Sequence, residues 1–341
     1  MNEVVAAVSR RLWLGVPMFF VISGYCITAT IDSQRRKGRD VSTYFLKRVR
    51  RIFPPYWIVV LASAAVIGVM DVLLQGAITS GGTMLRPWWF SGWQWGGSLT
   101  LTETWRSHLL GGPKGLFLGP AWTLCYEEQF YLVSGLLLLV SPQRFFWGAA
   151  AVTSAVALTA VSGISHSFIE GFFFDGSWFQ FALGILLYYA VVYGARFAKG
   201  VAALTFALFA LWGVAQGAAL LSVEKNDAQV AVVAGVFALA ALALHRFDRQ
   251  TTEATVLRPL RACGAMCYSL YLVHLPIVAI VFGVLRFASF DVKALSPLLT
   301  IPLCVVPSVV VAWQFHKYVE RRFMSAPAPV RVSRLAVAAT A

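Results

Sequence analysis

The sequence predicts an all-α polytopic membrane protein with about nine transmembrane helices. Of its 341 residues, 59% are hydrophobic and only 13% are charged, about half the charged share of a soluble domain, which is roughly one quarter. The mean hydropathy is +0.72. Nine stretches are long and apolar enough to cross a bilayer, and the basic residues gather in alternate loops between them. The same composition excludes a disordered chain and, with five Cys in 341 residues, a small disulfide scaffold.

A spanning helix needs about 20 mostly apolar residues, because the hydrocarbon is roughly 30 Å thick and a helix rises ~1.5 Å per residue. Residues 12–31 make the first such stretch, ending before the basic run that starts at Arg35. The second, 56–78, begins directly after Pro54 and Pro55. Residues 79–121 follow, rich in Gly and Trp; Trp88, Trp89, Trp93, Trp95 and Trp105 suit a membrane interface better than hydrocarbon. The third and fourth stretches, 122–140 and 145–164, are separated by a short turn with Arg144. Then come 177–193, 201–221, 229–244, 263–285 and 297–316, the last opening on Pro297. The membrane-embedded domain is expected over residues 1–323, with a cytoplasmic tail at 324–341.

Twenty of the 28 Lys and Arg fall on one side of this arrangement: in the loops after the first, third, fifth and seventh stretches, and in the tail. Cytoplasmic loops collect Lys and Arg, so the C-terminus is expected in the cytoplasm and the N-terminus outside. The net charge of +13 is thereby a topological signal, and nucleic acid is not an expected partner. Residues 1–11 show no signal-peptide pattern.

Ionisable groups inside a span are costly and mark function by default. Glu127, Glu128 and Gln129 lie within about two turns of the start of the third stretch. Tyr268, Tyr271 and His274 recur every third residue in the eighth. The run Lys47-Arg48-Val49-Arg50-Arg51 precedes the second. Each has a structural alternative: carboxylates favoured at a helix N-terminus, a Tyr–His core hydrogen bond, and a topological basic loop. Together they suit acyl transfer from a thioester to a hydroxyl. That reaction needs a base at the hydroxyl, which Glu or His can be, and donors for the developing oxyanion, which Tyr or Arg can be. A coenzyme A donor adds phosphates, which Arg binds bidentately. The five Cys fall in the predicted spans, and Cys263 and Cys267 at i, i+4 make no zinc pattern; no metal is expected.

These motifs resemble the acyltransferase 3 family of integral-membrane O-acyltransferases. Leu14-Gly-Val-Pro-Met-Phe-Phe-Val-Ile-Ser-Gly-Tyr25 is similar to the family's GV-x-x-FFV-x-SGF segment, and Phe45 to Tyr56 to its F-x-x-RR-x-x-RI-x-P-x-Y stretch, carrying over Arg48 and Arg51. Trp122 to Tyr131 resembles W-S-L-x-x-E-E-Q-F-Y, carrying over Glu127 and Glu128. Phe181-Ala-Leu-Gly184 resembles F-x-x-G, Tyr268 to Pro276 resembles Y-S-L-Y-L-x-H-x-P, and Tyr318 to Phe323 resembles a terminal x-x-E-R-P-F with Arg322 in place of Pro. The likeness runs over roughly residues 14–323, with the motifs in the family's order.

The resemblance implies an acyl-CoA-dependent O-acyltransferase, acetyl being the expected group, acting on a sugar hydroxyl of a cell-surface glycan or related exported molecule. Acyl-CoA, a carbohydrate acceptor and the lipid bilayer are the implied partners, and a bacterial inner membrane the implied location. Glu127 and Glu128 would activate or position, Tyr268 and His274 would polarise, and Arg48 and Arg51 would hold the donor. Family members usually begin with a further span that carries a basic His; the 14 residues before Gly15 contain no His, so the chain is expected to lack that first helix of the usual ten. Two alternatives stay open: a catalytically inactive relative that binds these ligands, and a transporter of acyl or glycan substrates.

Overall fold

The computed structural model describes residues 12–38, 40–82, 84–162, 171–218, 226–248, 250, 254–291 and 295–324. Residues 1–11, His166 and the predicted tail beyond Met324 lie outside them. Among the described residues there is no strand. The helices are α1 (Gly15–Arg36), α2 (Val41–Leu73), α3 (Gly92–Thr100), α4 (Glu103–Leu110), α5 (Trp122–Val140), α6 (Phe145–Val161), α7 (Ser177–Val192), α8 (Arg196–Ala215), α9 (Asp227–Leu244), α10 (Arg258–Ala265), α11 (Cys267–Phe287) and α12 (Pro297–Phe315). A π-helical turn, His316–Glu320, carries α12 on toward Phe323.

Each of the nine predicted stretches is helical over most of its described residues. Seven meet the length and composition of a bilayer span: Gly15–Arg36, Val41–Leu73, Pro142–Val161, Arg196–Ala215, Asp227–Phe247, Cys267–Phe287 and Pro297–Phe323. The other two fall short for separate reasons. Helix α5 carries Glu127, Glu128 and Gln129, which lower its hydropathy. Helix α7 has only 16 residues, about 24 Å of helix. Each buries nine residues against neighbouring helices, so protein takes the place of lipid over one face and less apolarity or length is needed there.

Helix α2 begins fifteen residues before the predicted span, at Val41, and runs unbroken through Pro54 and Pro55. The basic run is therefore helical rather than a loop. The two prolines lack N–H groups and leave the carbonyls of Arg50 and Arg51 without their helical partners; such prolines are tolerated in membrane helices where neighbours stabilise the weakened ladder. Here the Tyr268 hydroxyl donates to the adjacent Ile52 carbonyl at 2.8 Å. At the start of α2 the Ser42 hydroxyl donates to Asp40 at 2.5 Å and holds that carboxyl below the usual carboxylate range, a fixed negative charge at the positive end of the helix.

The most extensive packing pairs α1 with α7, α8 with α9, and α11 with α12. Helices α1 and α7 cross at Gly24 and Gly184. A Cβ built on Gly24 would stand 2.1 Å from the Phe181 carbonyl oxygen, and one on Gly184 2.1 Å from that of Val21. Without a hydrophobic drive inside lipid, helices associate by such close backbone approach at small residues. One core cluster joins α1, α2, α5, α7 and α11 through Phe20, Tyr56, Phe130 and Phe181; a second joins α1, α7, α8 and α9 through Val21, Leu187, Phe206 and Ala234. The exposed side chains Val69, Leu139, Trp147, Leu204, Leu211, Val306 and Val310 are large and apolar, the surface a bilayer solvates and water does not.

Candidate active site

Helices α1, α2 and α5 converge on a chain of polar side chains. Glu127 Oε1 accepts from the Tyr131 hydroxyl at 2.6 Å and from the Ser23 hydroxyl at 3.3 Å. The Tyr131 oxygen in turn accepts from Arg48 Nη1 at 3.3 Å, and Arg48 Nη2 donates to the Thr30 hydroxyl at 2.6 Å. The Arg48 guanidinium also lies over the Tyr131 ring, 4.8 Å from its centroid, a cation–π contact that holds its plane. Arg48 and Glu127, 79 positions apart in the chain, are thus coupled through one hydroxyl.

The local sequence explains this convergence. Glu127 and Tyr131 are i, i+4 on α5, so one side chain reaches back over the other. Ser23 lies beside Gly24, whose missing Cβ allows α7 to approach from the opposite side of α1. Both bonds to Glu127 fall on Oε1, and among the described residues Oε2 has none. Glu128 makes no hydrogen bond or ion pair among the described residues, and Arg51 is exposed one turn beyond Arg48. A carboxylate with one oxygen anchored and the other open can take a proton from a bound hydroxyl, and a fixed guanidinium can hold an anionic group.

The other two predicted site residues are placed differently. The Tyr268 hydroxyl is committed to Ile52. His274 turns its Nδ1 to carbonyls of its own helix, Tyr271 at 2.7 Å and Leu270 at 3.2 Å. Both partners accept, so Nδ1 carries the hydrogen and Nε2 is the nitrogen left for other contacts. Several motif residues are spent on scaffolding. Gln129 bonds the Gly171 carbonyl and the Phe173 amide ahead of α7, the Tyr56 hydroxyl bonds the Ser98 carbonyl, and Tyr271 bonds the Pro120 carbonyl. Glu320, 2% exposed, accepts from Ser269 and His316 and ties the end of α12 to α11.

Reasoning from sequence missed Tyr131, Ser23 and Thr30 as site residues. Tyr131 and Ser23 stand inside the quoted motifs, and their helical spacing to Glu127 and Gly24 was the available signal. It also missed Asp32, 3% exposed, which sits one turn beyond Thr28 and is held by Arg35 at 2.6 Å, Arg36 at 2.8 Å, and the hydroxyls of Tyr193 at 2.6 Å and Tyr188 at 3.0 Å. This fully paired carboxylate closes the basic end of the α1–α7 pair. A cavity of about 640 Å³ touches none of these groups; it is an apolar crevice between α6, α7 and α8 walled by Phe146, Trp147, Leu186 and Phe209. Among the described residues no three of His, Cys, Asp and Glu come together as a metal-binding group, and the five Cys are free thiols.

A family model matches residues 13–317, nearly the whole length of the helical bundle, and its description is an acyltransferase domain, Acyl_transf_3. The chain belongs to this acyltransferase family, as its motifs led us to expect. Among curated proteins, it is 31% identical over 134 residues to the peptidoglycan O-acetyltransferase OatA of Listeria monocytogenes, a match covering 38% of this chain and 20% of that protein. It is 26% identical over 136 residues to YrhL of Bacillus subtilis, named as a candidate peptidoglycan O-acetyltransferase, covering 38% of this chain and 19% of the relative. The matched stretch is thus about a fifth of each relative's length. No solved structure matches.

Proposed function

We propose that the protein is an integral-membrane O-acyltransferase that takes an acyl group, acetyl in the first instance, from acyl-CoA at the basic end of the bundle and passes it to a sugar hydroxyl of a cell-wall glycan. The observation that carries this reading is the Thr30–Arg48–Tyr131–Glu127 chain, which joins a guanidinium to a carboxylate whose second oxygen has no hydrogen bond among the described residues. The two relatives named for peptidoglycan O-acetylation support the acceptor class.

In this reading Arg48 and Arg51 hold the coenzyme A phosphates at the cytoplasmic side. Glu127 Oε2 takes the proton of the acceptor hydroxyl as its oxygen attacks the thioester carbonyl. The acyl–oxygen bond forms, the acyl–sulfur bond breaks, and the proton taken up by Glu127 passes to the departing thiolate, which leaves as free coenzyme A. The second carboxylate, Glu128, positions the acceptor. Tyr268 secures α11 against α2, and His274 presents Nε2 for polarisation.

The test is the full chain in liposomes with radiolabelled acetyl-CoA and soluble, uncross-linked peptidoglycan strands. Alkali-labile label on the strands is expected, and Glu128→Gln is expected to abolish it at unchanged protein level. Label that never leaves acetyl-CoA would refute the enzyme reading, and wild-type transfer by Glu128→Gln would remove that carboxylate from the mechanism.

A further inference from the structure

The N-terminal end of α5 borders a second feature that the acyl-transfer chain does not use. A cavity of about 400 Å³ is walled by Glu103, Thr104, Lys114, Trp122 and Tyr126, within the roughly 300–1,000 Å³ range of small-molecule sites. Its walls mix charge with aromatic surface. Trp122 is 39% exposed and packs edge-on against Tyr126, with ring centroids 5.9 Å apart. Phe20 on α1 packs edge-on against both rings, at 6.2 Å from each, and one helical turn further along α1 stands Ser23, bonded to Glu127. The cavity wall and the open carboxylate are therefore consecutive turns of the same two helices.

The segment presenting Lys114 is held rigid. Gln94 donates to the Lys114 carbonyl at 3.1 Å. The next amide, of Gly115, donates to Glu103 at 2.6 Å, and the Ser98 hydroxyl donates to the Gly115 carbonyl at 3.3 Å. Glu103, 4% exposed, is itself fixed by Arg106 at 2.8 Å. Arg106 in turn stacks at 3.8 Å over the ring of Trp93. Preorganised backbone of this kind lowers the ordering cost of binding.

We propose that this cavity is the acceptor subsite: it takes one pyranose ring of the glycan, the apolar C–H face against Trp122 and the hydroxyls toward Lys114. A pyranose has one apolar face and a rim of hydroxyls, and the cavity offers the matching surfaces. The proposal rests on the glycan-acylating reading but is separable from it, because binding needs no turnover.

The experiment measures equilibrium binding of soluble, uncross-linked peptidoglycan strands to the full chain in detergent, alongside acetyl-CoA binding. Lys114→Met, at an exposed loop position, and Trp122→Leu are each expected to weaken strand binding about tenfold, the loss of one charge-assisted or stacking contact. Acetyl-CoA affinity should stay at the wild-type value in Lys114→Met. Size-exclusion profiles distinguish a weakened site from a damaged fold in Trp122→Leu. Unchanged strand affinity in Lys114→Met, or no strand binding by the wild type, overturns the subsite. Strand binding that depends on Lys114, without any acyl transfer, upholds the subsite and refutes the enzyme reading instead.

Discussion

At the scale of single residues, Tyr131 decides how the site works. Its hydroxyl is the only bond joining Arg48 to Glu127 that the described residues show, donating to one and accepting from the other. Tyr131→Phe keeps the ring under Arg48 and removes only that oxygen. Each hydrogen bond to a charged group is worth about 1.5–3 kcal/mol, so the variant should lose about ten- to hundredfold in turnover at unchanged membrane abundance. Steady-state assays on purified protein check this, and wild-type kcat would make the hydroxyl a bystander. Glu127 and Glu128 were legible because carboxylates within an apolar stretch are rare. Tyr131 was passed over, because one Tyr among 11 stands out only through its i, i+4 spacing to Glu127 along the expected helix.

At the scale of elements, the crossing of α1 and α7 sets the site's precision. Gly184 was visible in the sequence only as the end of a short F-x-x-G match, since four residues of that kind carry little information. In the fold it is where two backbones touch: a Cβ there would meet the Val21 carbonyl oxygen at 2.1 Å and the Tyr25 amide nitrogen at 2.7 Å. Ser23 and its bond to Glu127 lie between those two contacts in sequence. Overpacking typically costs about 1–3 kcal/mol, so Gly184→Ala should lower the melting temperature in detergent by about 1–4 °C and reduce transfer through displaced Ser23. Gly264 on α10 is the matched control, with no atom within 4 Å of a built Cβ. Gly264→Ala should leave melting unchanged or raise it slightly, because Ala is the better helix former. Equal effects of the two substitutions would deny the crossing its role. The helical course of the basic run escaped the sequence for a related reason: two adjacent prolines argue locally for a break, and only the neighbouring α11, through Tyr268, offsets the weakened ladder.

At the scale of the whole molecule, the fold class was legible from composition, because the bilayer acts on long averages rather than on contacts. What composition could not give is which helices face protein instead of lipid. Helices α5 and α7 are poor spans by polarity or length, yet each buries nine residues against its neighbours, and α5 carries polar side chains from Tyr126, beside the cavity proposed for the acceptor, to Tyr131, beside Arg48. Phe20, near the start of α1, packs against the cavity residues Trp122 and Tyr126, whereas Arg35 and Arg36 end the same helix, so the cavity and the basic cluster lie at opposite ends of α1. Acyl transfer should therefore be vectorial. Acetyl-CoA carries several negative charges and does not cross a bilayer, and the basic end attracts it. In sealed proteoliposomes with glycan strands trapped inside and labelled acetyl-CoA added outside, label should reach the lumen only in molecules whose basic loops are cut by external trypsin. Molecules in the reverse orientation should leave the trapped strands unlabelled, and adding strands outside to basic-end-out vesicles should yield no labelled external glycan. Labelling of external strands by those same vesicles would place donor and acceptor on one side, and would require the acceptor to enter between Arg48 and the basic loops rather than past Trp122.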